Sequence, residues 1–132
     1  MYKLERLKEI FIVHAKIPFK NRIKEEELRL VFDPGCAVTL VDTSIVDLLG
    51  YSAQIDSIRL SHLEGAGGRS KGYIIEMPRF KSLNQELHNF EIACHDLDSH
   101  LGISGLLGMN FFKHFKMDID FSKGLICSIH KV

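Results

Sequence analysis

Val31-Phe32-Asp33-Pro34-Gly35-Cys36 is the stretch on which the reading of this chain turns. Leu28, Leu30 and Phe32 alternate as in a half-buried strand, and the run ends on a carboxylate followed at once by Pro-Gly. Pro presets φ and Gly tolerates φ > 0, so a turn follows the strand. A carboxylate at the end of a buried strand is costly unless it is paired, hydrated or protonated. Asp33 is therefore the first candidate for chemistry, with Pro34, Gly35 and Cys36 as the loop that presents it.

Outward from that point, most apolar segments are short, β-branched or aromatic, and bounded by Gly, Pro or Asn, which predicts a mainly β chain. Residues 9–17 read as a first strand stopped by Pro18, 19–26 as a polar, solvated turn, and 27–32 as the strand into Asp33. A short apolar piece, 38–41, leads to Asp42-Thr43-Ser44, which offer N-cap side chains to a helix through Leu49, with Gly50 as its C-cap. Strands over 57–63 and 72–77 flank Glu64-Gly65-Ala66-Gly67-Gly68-Arg69-Ser70-Lys71, whose glycines permit large backbone excursions. A strand over 89–95 turns Phe90, Ile92 and Cys94 inward. Residues 105–115 read as helical after their glycines, and 116–121 with 125–129 form a closing hairpin. The expected architecture is an all-β barrel with one or two short helices, as a single domain over 1–132.

Composition narrows the function classes. The 132 residues are 45% apolar and 26% charged, as in an ordinary globular protein with a modest core. Seventeen basic and seventeen acidic side chains cancel, and no basic block stands out, which argues against nucleic-acid or anionic-membrane partners. No apolar run approaches the roughly 18 residues that span a bilayer, and the first residues lack a signal-like apolar region. Cys36, Cys94 and Cys127 are odd in number and lack CxxC spacing, which favours reduced thiols and a cytoplasmic setting.

Two other chemistries are open to these residues. Cys36 could act as a nucleophile with a histidine base, although no local cysteine-protease signature accompanies it. Cys94-His95 with His88, His100 or His130 could ligate zinc, but the spacings follow no standard zinc pattern. Phe111, Phe112 and Phe115 read as core or subunit-facing surface.

Taken in order, Asp33-x-Gly35 at a strand end, Thr39, a glycine-rich hairpin about thirty residues on, and Leu106-Leu107-Gly108-Met109-Asn110 before a last hairpin resemble the retropepsin-like aspartic proteases. The likeness runs from Glu27 to Val132, with Asp33-Pro34-Gly35-Cys36-Ala37-Val38-Thr39 and Gly105-Leu106-Leu107-Gly108-Met109-Asn110-Phe111-Phe112 standing where members read Asp-Thr-Gly-Ala-x-x-Thr and Gly-Leu-Leu-Gly-Met-Asp-Phe-Leu. The resemblance implies a homodimer in which Asp33 from each subunit meets its copy and the pair shares a proton. It also implies an aspartic endopeptidase acting on extended peptide, with no metal or organic cofactor. A flap spanning about 57–78 would carry Gly65, Ala66, Gly67 and Gly68 at its tip. Thr39, Leu106, Leu107 and Gly108 would support the Asp33 loop. Pro34 departs from the usual Thr or Ser and lacks both the hydroxyl and the N–H that brace the dyad across the dimer. The alternative reading is thus a protease-fold peptide-binding or dimerisation module with impaired turnover.

Overall fold

The computed structural model describes residues 1–65, 68–98 and 102–132. The strands are β1 (Tyr2–Lys3), β2 (Glu5–Leu7), β3 (Ile10–Pro18), β4 (Glu25–Phe32), β5 (Leu40–Asp42), β6 (Arg59–Gly65), β7 (Gly68–Ser82), β8 (Gln85–His95), β9 (Gly105–Leu107), β10 (Phe115–Asp120) and β11 (Leu125–Lys131). Three short helices interrupt them: α1 (Thr43–Leu48), α2 (Ala53–Asp56) and α3 (Met109–Phe112).

The main sheet runs β2-β3-β4-β9-β5-β8-β7-β6, and a further pairing of β3 with β7 at Ala15↔Ser82 and Lys16↔Lys81 closes the strands from β3 to β7 into a barrel. A second sheet, β1-β11-β10, packs beside it. Closure hides sheet edges that would otherwise recruit other strands. Ile12, Val13 and Ile17 of β3, Leu28 and Leu30 of β4, Ile92 of β8, and Phe80 and Phe111 are at most 1% exposed. Each such side chain contributes about 1.5–3 kcal/mol by leaving water. As the alternation predicts, Phe90, Ile92 and Cys94 of β8 all point into this core.

Local signals explain most boundaries. Asp42 caps α1 by accepting from the Ser44 N–H at 3.1 Å, and Gly50 takes the left-handed step after it at φ +93°. Elsewhere tertiary pairing overrides the local pattern. Residues 105–107 are a strand rather than the start of a helix, because β9 inserts between β4 and β5 and satisfies both neighbours. Only one helical turn, α3, remains of the periodic stretch. Strand β7 continues past Pro78, where the missing N–H meets a local kink at Asn89 (φ +52°) in β8. The β7–β8 hairpin turns on Leu83 and Asn84, both at positive φ, and burial of Leu83 at 2% exposure offsets the strain of that conformation. Among the described residues, no helix is long and apolar enough to cross a membrane.

Candidate active site

Asp33 leaves the end of β4 and is held from below by its own backbone: its N–H donates to the Leu107 carbonyl at 3.0 Å, extending the β4–β9 pairing by one residue. Residues 33–36 form a turn closed by the Cys36 N–H donating to the Asp33 carbonyl at 3.1 Å. Pro34 takes the first middle position, where its fixed φ suits the turn and the turn's own hydrogen bond requires no N–H from it. Gly35 keeps a negative φ, so left-handed freedom is not its role here. A Cβ at Gly35 would stand 3.2 Å from Asp33 Oδ1, the same oxygen that accepts from the Gly35 N–H at 3.1 Å. Glycine leaves the carboxylate room to turn back onto the loop.

Residues 33–39 then arch over the end of β9 and return as β5. Gly105 and Gly108 bracket that strand because nothing larger fits: a Cβ at Gly105 would lie 1.8 Å from the Leu40 carbonyl oxygen, and one at Gly108 only 2.6 Å from that of Cys36. The N–H groups of Met109 and Asn110, left without helical acceptors at the start of α3, donate to the carbonyls of Cys36 at 2.7 Å and Ala37 at 3.1 Å.

Asn110 completes the fastening. Its Oδ1 accepts from both the N–H and the hydroxyl of fully buried Thr39 at 2.8 Å, and its Nδ2 donates to the Glu91 carbonyl at 2.7 Å. The Thr39 hydroxyl in turn accepts from the Gly108 N–H at 3.1 Å. The loop, β9, α3 and β8 are thereby tied into one unit. Asp33, Pro34, Gly35, Cys36, Thr39, Leu106, Leu107 and Gly108 all gather here. Asn110, which stands where the resembled proteases read Asp, is a central tie; its amide, with one acceptor and two donors, is the signal for that role.

Leu107 points into the main core. Leu106, on the opposite face of β9, joins Leu40, Ile74 and Ala93 with Val38 and Leu97 in a separate apolar cluster beside the loop. The hairpin β6–β7 extends from this side, pairing from Arg59↔Ile74 out to Gly65↔Gly68. Of the glycine-rich tip, Ala66 and Gly67 lie outside the described residues.

The competing chemistries find no support in the geometry. The Cys36 Sγ donates to the Val38 carbonyl at 3.0 Å, and burial, reinforced by the neighbouring Asp33 charge, pushes its pKa up, the opposite of thiolate activation. The Cys94 thiol lies in the core, where burial raises its pKa to about 12. Both ring nitrogens of His95 are taken by serine hydroxyls. His100 lies outside the described residues, and among the described residues no group of three His, Cys, Asp or Glu side chains is arranged to hold a metal. Cavities of 460 and 770 Å³ open on the surface, and Asp33 lines neither, though the larger reaches its loop at Ala37 and Val38.

A closed barrel thus presents a half-buried aspartate on a loop fastened by Thr39, Gly108 and Asn110. The chain belongs to the aspartyl protease family: a family profile described as "Aspartyl protease" matches residues 19–111, including both the Asp33 loop and the start of α3. Within that class the fold is retropepsin-like. It is similar to a crystal structure of a retropepsin-like aspartic protease from Rickettsia conorii, with 23% identity and a TM-score of 0.67 over 98% of this chain and 97% of that one. It is also similar to EIAV protease, solved in complex with the inhibitor HBY-793, with 16% identity and a TM-score of 0.55 over 86% of this chain and 91% of that one. No curated protein matches the chain.

Proposed function

We propose that this chain is one subunit of a homodimeric aspartic endopeptidase in which the two Asp33 carboxylates form a shared catalytic dyad. The observation that carries this reading is the fastening of the only Asp-x-Gly loop in the chain, which holds a single half-buried carboxylate in a defined place. One carboxylate cannot serve as general base and general acid at once, so the chemistry calls for a second copy. Like charges at close range resist joint ionisation, and the pair holds one proton between them. The ionised member takes a proton from water as it attacks the scissile carbonyl, while the protonated member donates a hydrogen bond to the carbonyl oxygen. No metal or organic cofactor is needed. The half-buried side chains of Val38, Leu97 and Leu106, packed on buried Leu40, Ile74 and Ala93, offer apolar contact to side chains of an extended peptide, and hairpin β6–β7 serves as a flap over them.

Pro34 bears on how well the dyad is braced. It cannot supply a hydroxyl or N–H across the dimer, which favours a second reading as a peptide-binding module with lost turnover. Against that, the ties through Leu107, Thr39 and Asn110 position Asp33 from within its own subunit and require nothing of residue 34. Cleavage of a peptide library between about pH 3 and 7, with Asp33→Asn as control, separates the two. Turnover abolished by that substitution supports the endopeptidase. Peptide binding without turnover, with cleavage gained in Pro34→Thr, would establish the impaired module instead.

A further inference from the structure

Strand β8 ends at His95, which pairs with Asp42 of β5 on its barrel side. On its other side, pairing with β7 stops at Tyr73↔Cys94. Beyond that point β6 and β7 have each other as partners, from Ser61↔Gly72 to Gly65↔Gly68. His95 stands at the next place in the row, level with Gly72. Its ring crosses over that glycine: a Cβ on Gly72 would lie 2.8 Å from ring atoms Cε1 and Nδ1. Having crossed, the ring meets the Ser61 Oγ with Nε2 at 3.0 Å and the Ser70 Oγ with Nδ1 at 3.0 Å. A side chain only 1% exposed thus joins both strands of the hairpin to the barrel where they leave it.

We propose that His95 is a positioning residue that pins the base of hairpin β6–β7 and so governs how readily it opens; its catalytic meaning rests on the reading of that hairpin as a flap. A flat ring with nitrogens on two edges can bridge one hydroxyl on each strand, which a purely apolar ring of similar size cannot. The buried ring with both nitrogens engaged does not reach substrate, so its effect passes through the hairpin. Gly72 is the complementary feature: a Cβ there would meet the Cys94 carbonyl oxygen at 2.0 Å as well as the ring at 2.8 Å.

Amide hydrogen exchange on the whole chain tests this without any need for turnover. In a Ser61→Ala/Ser70→Ala variant, which removes two hydroxyls and little volume, amides of residues 61–65 and 68–72 should exchange roughly tenfold faster, while those of β3, β4 and β9 keep their wild-type rates. His95→Phe should match it, and His95→Gln, which retains a donor and an acceptor, should recover part of the protection. If the protein cleaves peptide, KM should rise in the serine variant while kcat changes less than KM. Unchanged exchange in the hairpin, or equal acceleration throughout the barrel, overturns the proposal. Because the exchange readout is independent of cleavage, an inactive protein with the predicted pattern would refute the protease reading and leave the pin intact.

Discussion

Asn110→Ala tests the fastening of the Asp33 loop most sharply. The substitution deletes three hydrogen bonds, two accepted from Thr39 at 2.8 Å and one donated to the Glu91 carbonyl at 2.7 Å. Each contributes about 1 kcal/mol net, and Thr39, fully buried, has no water to replace its lost acceptor. The expected cost is about 3 kcal/mol, a large share of the roughly 5–15 kcal/mol that holds a domain folded. In thermal unfolding it corresponds to a fall of roughly 10 °C in Tm. Thr39→Val removes the hydroxyl that donates to Asn110 and accepts from Gly108, so the two substitutions act on one network. A double-mutant cycle by urea denaturation should give a coupling of about 1–2 kcal/mol. Cleavage at a temperature where Asn110→Ala stays folded should slow by roughly a hundredfold, as a displacement of about 1 Å at a reacting group does. A stability loss under about 1 kcal/mol with no coupling would refute the reasoning that this amide ties the loop down.

Gly108→Ala places a Cβ 2.6 Å from the Cys36 carbonyl oxygen and 3.0 Å from the Val38 carbonyl carbon, both backbone atoms, so the loop must move. Soluble, folded protein with wild-type cleavage would show that this contact does not position Asp33. Cys36→Ser should leave cleavage within about twofold, because a thiol whose pKa is raised by burial has no part in the proton transfers; loss of activity would return Cys36 to the mechanism. For His95, burial lowers the pKa below 6.5, with His62 of β6 acting in the same direction and Asp96 opposing them. The unfolded chain therefore binds the proton first, and stability present above pH 6.5 declines as pH falls from there through the folded-state pKa. His95→Gln should flatten that part of the stability profile, and an unchanged slope in urea titrations across it would contradict the assignment.

Where residues carry their own local signal, their places were legible in the sequence. Asp42 and Gly50 announce the ends of α1, the alternation through Leu28 and Leu30 announces β4, and Asp33 stands out as a charge ending an apolar strand. The misread stretches are those where partners distant in sequence decide. Leu106 shares a helical spacing with Met109 and Phe112, yet β4 and β5 claim it for a strand. Pro78 would end a strand alone but is accommodated opposite the kink at Asn89. A Leu-Asn pair gives no glycine to mark the left-handed turn that Leu83 makes once its side chain is buried. The same holds for the site. The ties between Thr39 and Asn110, and between His95 and both Ser61 and Ser70, join residues far apart in the chain, and no short window contains them.

In the proposed dyad, catalysis needs Asp33 twice. The most direct test is a heterodimer purified through two different tags, one subunit wild type and the other Asp33→Asn. A shared dyad loses its proton partner in that species, and its cleavage rate should fall by at least about a hundredfold relative to the wild-type homodimer. A heterodimer retaining about half the wild-type rate would mean that each Asp33 acts alone, and the shared dyad would be wrong.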